Sequence, residues 1–133
     1  MRQRPSESIS HIVVNHQAVP KVGAIMVSVG VIGYGYWGPN IVRNLGSVEG
    51  ARVVAIADTL CPARERASKA YPHIRISDKP ADVIASTDVD AVAIITPVST
   101  HFQLAKAALE NGKHIFVEKP FTSNAEQAEE LIN

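Results

Sequence analysis

Cysteine is nearly absent from the 133 residues, and Cys61 is the only one. A disulfide within the chain is therefore excluded, and this usage favours a reducing, cytoplasmic location. We interpret Cys61 as a thiol near solvent at the start of a helix. No His or carboxylate pattern around it suggests the pairing that a nucleophilic thiol needs.

An excess of charge of either sign is also missing. Lys plus Arg and Asp plus Glu number 13 each, so the formal net charge at pH 7 is zero. Nucleic acids and anionic membranes attract basic surfaces, and this composition offers no such attraction. The longest apolar stretch, residues 22–33, is roughly 12 residues long, whereas a bilayer span needs about 20. We expect neither nucleic acid nor a membrane as a partner.

Regular periodicity is lacking at the start of the chain, and no internal repeat or low-complexity segment occurs anywhere. Residues 1–26 mix Arg, Ser, Gln, His and Pro, and we predict a disordered or extended tail there. Beyond it, short apolar runs alternate with segments of helical spacing. The predicted strands are 27–32, 52–57, 74–76, 91–95 and 114–117. The predicted helices are 37–45, 62–70, 80–85, 100–110 and one that begins after Ser123 or Asn124.

Strands that are apolar throughout and separated by helices are typical of a parallel sheet covered on both faces. Right-handed crossovers then place helices on each side of the sheet. The predicted fold class is α/β, with a doubly wound parallel sheet of about five strands formed by residues 27–133.

A glycine loop (residues 33–38) follows the first predicted strand and reads Gly-Tyr-Gly-Tyr-Trp-Gly. This G-x-G-x-x-G pattern between a strand and a helix is the context that dinucleotide binding in a Rossmann fold requires. Gly33 permits the tight turn, Gly35 lets a pyrophosphate approach the backbone, and Gly38 allows close packing of helix on strand. Free amides and the helix dipole favour phosphate. The alternative is a glycine-rich turn with no ligand.

Aromatic residues make up only 5% of the chain, yet Tyr34, Tyr36 and Trp37 are concentrated in the glycine loop. Tyr36 and Trp37 are candidates for lining a cofactor cleft. The alternative for Trp37 is packing against a partner domain or the sheet edge. Sequence alone leaves both interpretations open.

Asp58 ends the second predicted strand, 20 residues after Gly38. A carboxylate at this position accepts hydrogen bonds from the adenosine ribose hydroxyls and repels a 2′-phosphate. We therefore expect NAD as the cofactor, with NADP less favoured. Arg64 and Arg66 follow within one or two helical turns, and either can screen a phosphate. The alternative for Asp58 is a strand-end residue that caps the next helix. It can also both cap that helix and bind the ribose.

Two later segments extend the pattern. The Thr-Pro segment (residues 96–101) reads Thr-Pro-Val-Ser-Thr-His after the fourth strand, and the Glu-Lys-Pro segment (residues 118–120) follows the fifth. With the glycine loop and Asp58, these segments make residues 27–133 resemble the glucose–fructose oxidoreductase, inositol dehydrogenase and MocA family (Gfo/Idh/MocA).

The resemblance implies an NAD-dependent dehydrogenase that transfers a hydride between the cofactor and a hydroxyl of a sugar, sugar nucleotide or polyol. It places Lys119 beside the nicotinamide ribose and the reacting oxygen. A cation there polarises the oxygen and helps move its proton. Judged by composition alone, Lys119 would be an exposed lysine at a strand end. No metal ligand is implied.

The neighbours of this lysine take supporting roles in the resemblance. Glu118 would hold the corner in place, or would only cap the following helix. Pro120 would fix the backbone turn. Three residues of the Thr-Pro segment would line the nicotinamide side of the cleft: Thr96, Pro97 and His101. The alternative for His101 is a residue at a helix start that is bonded to a carbonyl.

Members of the family have a second α/β domain, built on an open antiparallel sheet, which supplies the substrate pocket and usually a catalytic Asp and His. These 133 residues contain neither that domain nor a sixth Rossmann strand. We therefore expect them to bind a dinucleotide but to be inactive alone, with carbohydrate binding and any homo-oligomer confined to the full-length form. A non-catalytic NAD-sensing module is the alternative. A methyltransferase using S-adenosylmethionine is disfavoured by the Thr-Pro and Glu-Lys-Pro segments.

Overall fold

A six-stranded sheet forms the centre of the structure, a computed structural model that describes residues 11–15 and 26–133. The spatial order is β1-β6-β5-β2-β3-β4, and every neighbouring pair is parallel except β1 with β6. The strands are β1 His11–Val13, β2 Val27–Ile32, β3 Ala51–Ala57, β4 Arg75–Ser77, β5 Ala91–Ile94 and β6 His114–Val117. The predicted α/β class with a doubly wound parallel sheet is confirmed.

Helices connect the parallel strands, and their bounds follow local sequence signals. Those described are α1 Gly38–Ser47, α2 Cys61–Ala70, α3 Pro80–Ala85, α4 Val98–Glu110 and α5 Ala125–Ile132. The first three helices carry a proline in the first turn, where its missing N–H leaves no hydrogen bond unmade. The side chain of Asn124 caps α5 by accepting from the Gln127 amide. None of the helices in the described ranges is long and apolar enough to cross a membrane.

Two apolar clusters lie on opposite faces of the sheet because successive strand residues point to opposite sides. Ile32 belongs to the cluster that contains residues of α3, α4 and α5. Its neighbour Val31 belongs to the cluster that contains residues of α1 and α2. Both side chains are at most 1% exposed, and burying each fully contributes about 1.5–3 kcal/mol. The helices therefore cover both faces, as double winding requires.

The sixth strand was not predicted from the sequence. About five strands were predicted, and β1 adds one antiparallel strand along the outer edge of β6. This strand lies within residues 1–26, for which a disordered or extended tail was predicted, and its three residues are extended and paired with β6. Three residues are too few to show a period, which is why sequence reasoning missed them. The rest of that prediction, residues 1–10 and 16–25, lies outside the described residues.

Candidate functional site at the carboxyl edge of the sheet

The predicted site segments converge because each follows the carboxyl end of a parallel strand. The glycine loop follows β2, Asp58 follows β3, the Thr-Pro segment comes shortly after β5, and the Glu-Lys-Pro segment follows β6. Strands β2 and β5 are neighbours, although the chain leaves β2 toward β3 on the other side. The order of strands thus reverses between β2 and β5, which is where open α/β sheets bind ligands.

Two glycines of the loop are required by the fold. Gly33 has φ +103°, and a Cβ there would lie 2.5 Å from the carbonyl oxygen of Ile95. A Cβ at Gly38 would lie 2.6 Å from the Gly33 carbonyl oxygen, so the start of α1 packs directly on the turn. Backbone atoms cannot yield to such contacts. The roles predicted for these two glycines, a tight turn and close packing of helix on strand, match their geometry.

Gly35 has no such structural reason to be glycine. A Cβ at Gly35 would meet no atom of the described residues within 4 Å, the residue is exposed, and its φ is not in the left-handed region. The fold would accept a side chain there. The space above Gly35 is therefore open for a ligand that approaches the backbone closely.

The first turn of α1 is left without a side-chain cap. Trp37 is the N-cap residue and makes no side-chain hydrogen bond to the helix, and the first turn contains no acidic residue. The amide groups of a helix start carry partial positive charge and need acceptors. An anion at this end of α1 would supply the acceptors and the negative charge that the helix lacks.

The three aromatic residues of the loop separate into a buried and an exposed group. Tyr34 is 4% exposed and lies in the cluster under α1 and α2, where burial and Tyr71 raise its pKa while Arg66 opposes the rise. Tyr36 and Trp37 are 84% and 52% exposed, with their rings edge to face at 4.9 Å. Only the exposed pair is available to a ligand or a partner domain.

Asp58 combines a structural role with remaining hydrogen-bonding capacity. Its Oδ2 accepts from the Tyr34 amide at 2.8 Å, and its Oδ1 accepts from the Leu60 amide at 2.8 Å. Leu60 is the N-cap residue of α2, so the carboxylate orders the start of that helix and ties the glycine loop to the end of β3. Each carboxylate oxygen can accept a second hydrogen bond, which leaves room for ribose hydroxyls.

Arg64 and Arg66, which follow Asp58 in the chain, both donate hydrogen bonds to backbone carbonyls near the Asp58 carboxylate. Arg64 donates from Nη1 to the Asp58 carbonyl oxygen at 3.0 Å. Arg66 donates from Nη2 to the Tyr34 carbonyl oxygen at 3.4 Å. One carboxylate and two guanidinium groups therefore lie where the glycine loop meets the end of β3. Each of them is hydrogen-bonded to the backbone there.

The Thr-Pro segment is held by its own hydroxyls and by a buried histidine. The Oγ1 atoms of Thr96 and Thr100 lie 2.6 Å apart, and Thr100 donates to the Pro97 carbonyl oxygen at 2.7 Å. His101 is 1% exposed. Its ring nitrogens lie 2.7 Å from the Thr96 carbonyl oxygen and 2.9 Å from that of Pro120. The imidazole is therefore bonded to carbonyls beneath the two segments, where it joins them.

The Glu-Lys-Pro segment borders a cavity of about 560 Å³. Lys119 is exposed at its rim, and the Oε2 atom of Glu118 is buried with no hydrogen-bond partner in the described structure. Glu118 does not cap the following helix, since the Asn124 side chain does.

The opposite wall of this cavity comes from Trp37, which the sequence analysis proposed as a cleft residue, and from α1, whose contribution sequence reasoning missed. The α1 residues are Asn40, Arg43 and Asn44. They stand at positions i, i+3 and i+4, which share one face of a helix. That spacing was the available signal, but nothing in the sequence shows which neighbouring turn this face meets. Across the described ranges, no group of three His, Cys, Asp or Glu side chains is placed to hold a metal ion.

Comparison with known proteins identifies the family. The sequence profile of the Gfo/Idh/MocA group, described as an oxidoreductase family with an NAD-binding Rossmann fold, matches residues 27–133. The chain belongs to this family. The resemblance drawn from the glycine loop, Asp58 and the two later segments is thereby confirmed.

Relatives within Gfo/Idh/MocA include polyol-converting and nucleotide-binding proteins. The chain is 37% identical over 108 residues to scyllo-inositol 2-dehydrogenase (NAD(+)) of Bacillus subtilis strain 168, covering 81% of this chain and 30% of that protein. Scyllo-inositol dehydrogenase of Lactobacillus casei with bound NAD(H) and scyllo-inositol is 27% identical, with a TM-score of 0.73 over 80% of this chain and 32% of that one. The chain spans about a third of the length of these relatives.

A further Gfo/Idh/MocA structure contains the other nicotinamide cofactor. The 3-ketoreductase KijD10 of Actinomadura kijaniata, in complex with TDP-benzene and NADP, is 31% identical, with a TM-score of 0.72 over 80% of this chain and 34% of that one. Residues 27–133 are thus the dinucleotide-binding domain of an oxidoreductase family whose solved members include both NAD(H) and NADP complexes.

Proposed function

We propose that this chain binds NAD(H) in preference to NADP(H) and forms the cofactor half of a dehydrogenase acting on a sugar, sugar-nucleotide or polyol hydroxyl. The observation that carries the proposal is Gly35. Its neighbours in the loop are glycine for reasons of backbone packing, whereas Gly35 faces open space. A pyrophosphate that must approach the backbone explains a glycine that the fold does not need.

The remaining site residues are arranged along the same edge. The pyrophosphate would lie on Gly35 and the uncapped start of α1, and the adenosine ribose would lie at Asp58. The nicotinamide would extend toward the Thr-Pro and Glu-Lys-Pro segments. The residues proposed to form or support this site are Gly33, Gly35, Tyr36, Trp37, Gly38, Asp58, Thr96, Pro97, His101, Glu118, Lys119 and Pro120.

Lys119 is the proposed catalytic residue. When bound, the nicotinamide supplies or accepts the hydride. The ammonium of Lys119 is exposed at the cavity rim, where it can donate a hydrogen bond to a substrate oxygen. A cation there stabilises negative charge that develops on the oxygen and assists its proton transfer. Glu118 lines the same cavity.

The carbohydrate substrate is proposed to bind only together with a second domain. The relatives that suggest a polyol substrate are about three times as long as this chain, so most of their length lies outside the match. We propose that these 133 residues alone are inactive, and that any homo-oligomer forms in the full-length protein. The single cysteine, exposed Cys61, suits a reducing compartment such as the cytoplasm.

Cofactor choice tests the proposal at Asp58. Isothermal titration calorimetry of the wild-type chain should give an affinity for NADH about tenfold or more above that for NADPH, because a carboxylate repels the 2′-phosphate. Asp58→Ala also loses the bonds to the Tyr34 and Leu60 amides, so both affinities should fall. The diagnostic quantity is their ratio, which should approach one.

Asp78→Ala is the matched control, because Asp78 is an exposed aspartate just past the end of the neighbouring strand β4. It should keep the wild-type ratio. Tighter binding of NADPH by the wild-type chain, or an unchanged ratio in Asp58→Ala, would contradict the proposed preference.

A further inference from the structure

The Thr-Pro segment and the glycine loop face each other across the crevice between β5 and β2. A Cβ added at Gly33 would lie 3.2 Å from the Cγ2 atom of Thr96, so the methyl group of this threonine lies against the glycine turn. Thr96 is half-buried, and Thr100, in the first turn of α4, is exposed. Their hydroxyl oxygens, 2.6 Å apart, therefore lie beside the place where the order of strands reverses.

A third group fixes the direction of each hydrogen bond in this pair of hydroxyls. Thr100 Oγ1 lies 2.7 Å from the Pro97 carbonyl oxygen. That oxygen can only accept, so the proton of this contact belongs to Thr100. Since a hydroxyl has a single proton, the 2.6 Å contact between the two hydroxyls must use the proton of Thr96. Both protons are thus taken up within the segment, and neither is left to donate to a ligand.

We infer that Thr96 and Thr100 form an acceptor-only pair that binds an N–H or O–H donor on the nicotinamide half of the dinucleotide. This inference rests on the proposed function. Thr96 is the specificity-determining residue, and Thr100 is a positioning residue that takes up the Thr96 proton. A hydroxyl oxygen has two lone pairs, so Thr96 keeps both, and Thr100 keeps one, for a donor that enters the crevice.

The pair also distinguishes two helix starts that are otherwise alike. Neither α1 nor α4 has a side-chain cap, and neither carries an acidic residue in its first turn. The partial positive charge at each start would attract an anion. Beside α4, however, a phosphate oxygen would meet the lone pairs of hydroxyls that have no proton to give. The pyrophosphate is therefore directed to α1, where a Cβ at Gly35 would meet no described atom within 4 Å.

Two kinds of donor lie on the nicotinamide half of the cofactor, the ribose hydroxyls and the amino group of the carboxamide. The carboxamide oxygen only accepts, so this group can bind to the pair only through its nitrogen. Both sources share one chemistry, a neutral donor that faces a neutral acceptor. Loss of one such hydrogen bond lowers affinity by a modest factor, about threefold to tenfold.

Neutron diffraction tests the directions of the two hydroxyls without any cofactor. Crystals of the 133-residue chain, exchanged into heavy water, should show the Thr96 deuterium on the line to Thr100 Oγ1. The Thr100 deuterium should lie on the line to the Pro97 carbonyl oxygen. A Thr96 deuterium that points into the crevice, or a Thr100 deuterium that points to Thr96, would overturn the inference.

Calorimetric titration of NADH tests the ligand. Thr96→Val removes the hydroxyl but keeps the methyl group that lies against Gly33, and it should lower NADH affinity about threefold to tenfold. Thr96→Ser keeps the acceptor oxygen and should stay within about twofold of wild type. Thr87→Val is the matched control and should bind NADH as wild type does, because Thr87 is an exposed threonine between α3 and β5, at the opposite edge of the sheet.

The same titrations with reduced 3-acetylpyridine adenine dinucleotide identify the donor, because this compound has a methyl group in place of the carboxamide amino group. If the carboxamide is the donor, Thr96→Val should bind the analogue as wild type does. If a ribose hydroxyl is the donor, affinity for the analogue should fall as it does for NADH.

Wild-type NADH affinity in a folded Thr96→Val chain would overturn the inference and leave the proposed function standing. Absence of NADH binding by the wild-type chain would contradict the proposed function and the ligand assignment together. The neutron structure would still decide the directions of the two hydroxyls.

Discussion

The three glycines of the loop are glycine for two different physical reasons. At Gly33 and Gly38, an added Cβ would collide with backbone carbonyl oxygens, so these positions are explained within the chain. At Gly35 nothing among residues 11–15 and 26–133 explains why the residue is glycine. Gly33 and Gly38 are therefore required for folding, whereas Gly35 is not. A substitution at Gly35 is the one that tests ligand binding separately from folding.

Tyr34 gives a prediction about alkaline pH. Burial raises the pKa of its hydroxyl above the ordinary value of about 10. Above that ordinary value, the unfolded chain loses this proton before the folded chain does, so the free energy of unfolding falls as pH rises. Urea unfolding between pH 9 and 11 should show a steeper loss of stability for wild type than for Tyr34→Phe. Equal slopes would show that the hydroxyl is not buried in solution.

Individual site residues were predictable where a spacing fixes a role. Asp58 was found from its distance to the glycine loop and the end of a strand. The burial of His101 was not predictable. A sequence does not show that the carbonyl groups of Thr96 and Pro120 both lie beside its ring. The cavity wall at Asn40, Arg43 and Asn44 was missed for the same reason. These features depend on how elements pack, not on local pattern.

At the scale of elements, strand β1 protects an edge. An exposed edge strand offers unpaired amides and carbonyls to other chains, and β1 covers that of β6 through three paired residues. Asn15 secures its end, donating from its backbone amide to His114 Nδ1 at 2.9 Å and from its side chain to the Leu109 carbonyl oxygen at 2.8 Å. The three residues of β1 therefore contribute to the sheet.

Two adjacent residues test this contribution. Val13 is partly buried against the apolar cluster under α3, α4 and α5, whereas Val14 is 55% exposed. Val13→Asp should lower the free energy of unfolding by about 1–3 kcal/mol, because it places a charge in a partly apolar contact. Val14→Asp should stay within about 0.5 kcal/mol of wild type. Equal urea midpoints for the two variants would show that β1 does not pack in solution.

Most elements were predictable because their signals are local. The parallel strands are apolar runs, and prolines and Asn124 mark helix starts, so observed bounds differ from predicted ones by at most two residues. Strand β1 was not predictable, since its pairing with β6 spans about a hundred residues of sequence. Its stability comes from that partner and not from its own pattern.

At the scale of the whole molecule, we expect cofactor binding without turnover. The chain spans about a third of the length of its relatives. The carboxyl edge of the sheet brings together the groups expected to hold a dinucleotide. General acid–base work and substrate orientation need further groups around the carbohydrate. The 133 residues should therefore bind without reacting.

Activity should appear only when the second domain of the family is supplied by fusion or as a separate chain. The 133 residues alone should show no turnover above background with sugars, polyols or sugar nucleotides and NAD. In the reconstituted enzyme, Lys119→Ala should lower kcat about 10²–10⁴-fold with NADH affinity little changed, because general acid–base assistance is lost. Lys69→Ala, an exposed lysine on α2, is the control and should keep full activity. Normal dehydrogenase rates from the 133 residues alone would contradict the proposal that they bind the cofactor without turning over a substrate.

The most direct test of the central claim is a calorimetric titration of NADH into three forms of the chain: wild type, Gly35→Val and Gly46→Val. A Cβ at Gly35 or at Gly46 would meet no atom within 4 Å in the described part of the chain, so both valine variants should fold with stability within about 0.5 kcal/mol of wild type. Wild type and Gly46→Val should bind NADH alike. Gly35→Val should lose at least about a hundredfold in affinity, because its side chain occupies the space of the pyrophosphate. Undiminished NADH binding by a folded Gly35→Val chain would contradict the assignment of the glycine loop as the dinucleotide site.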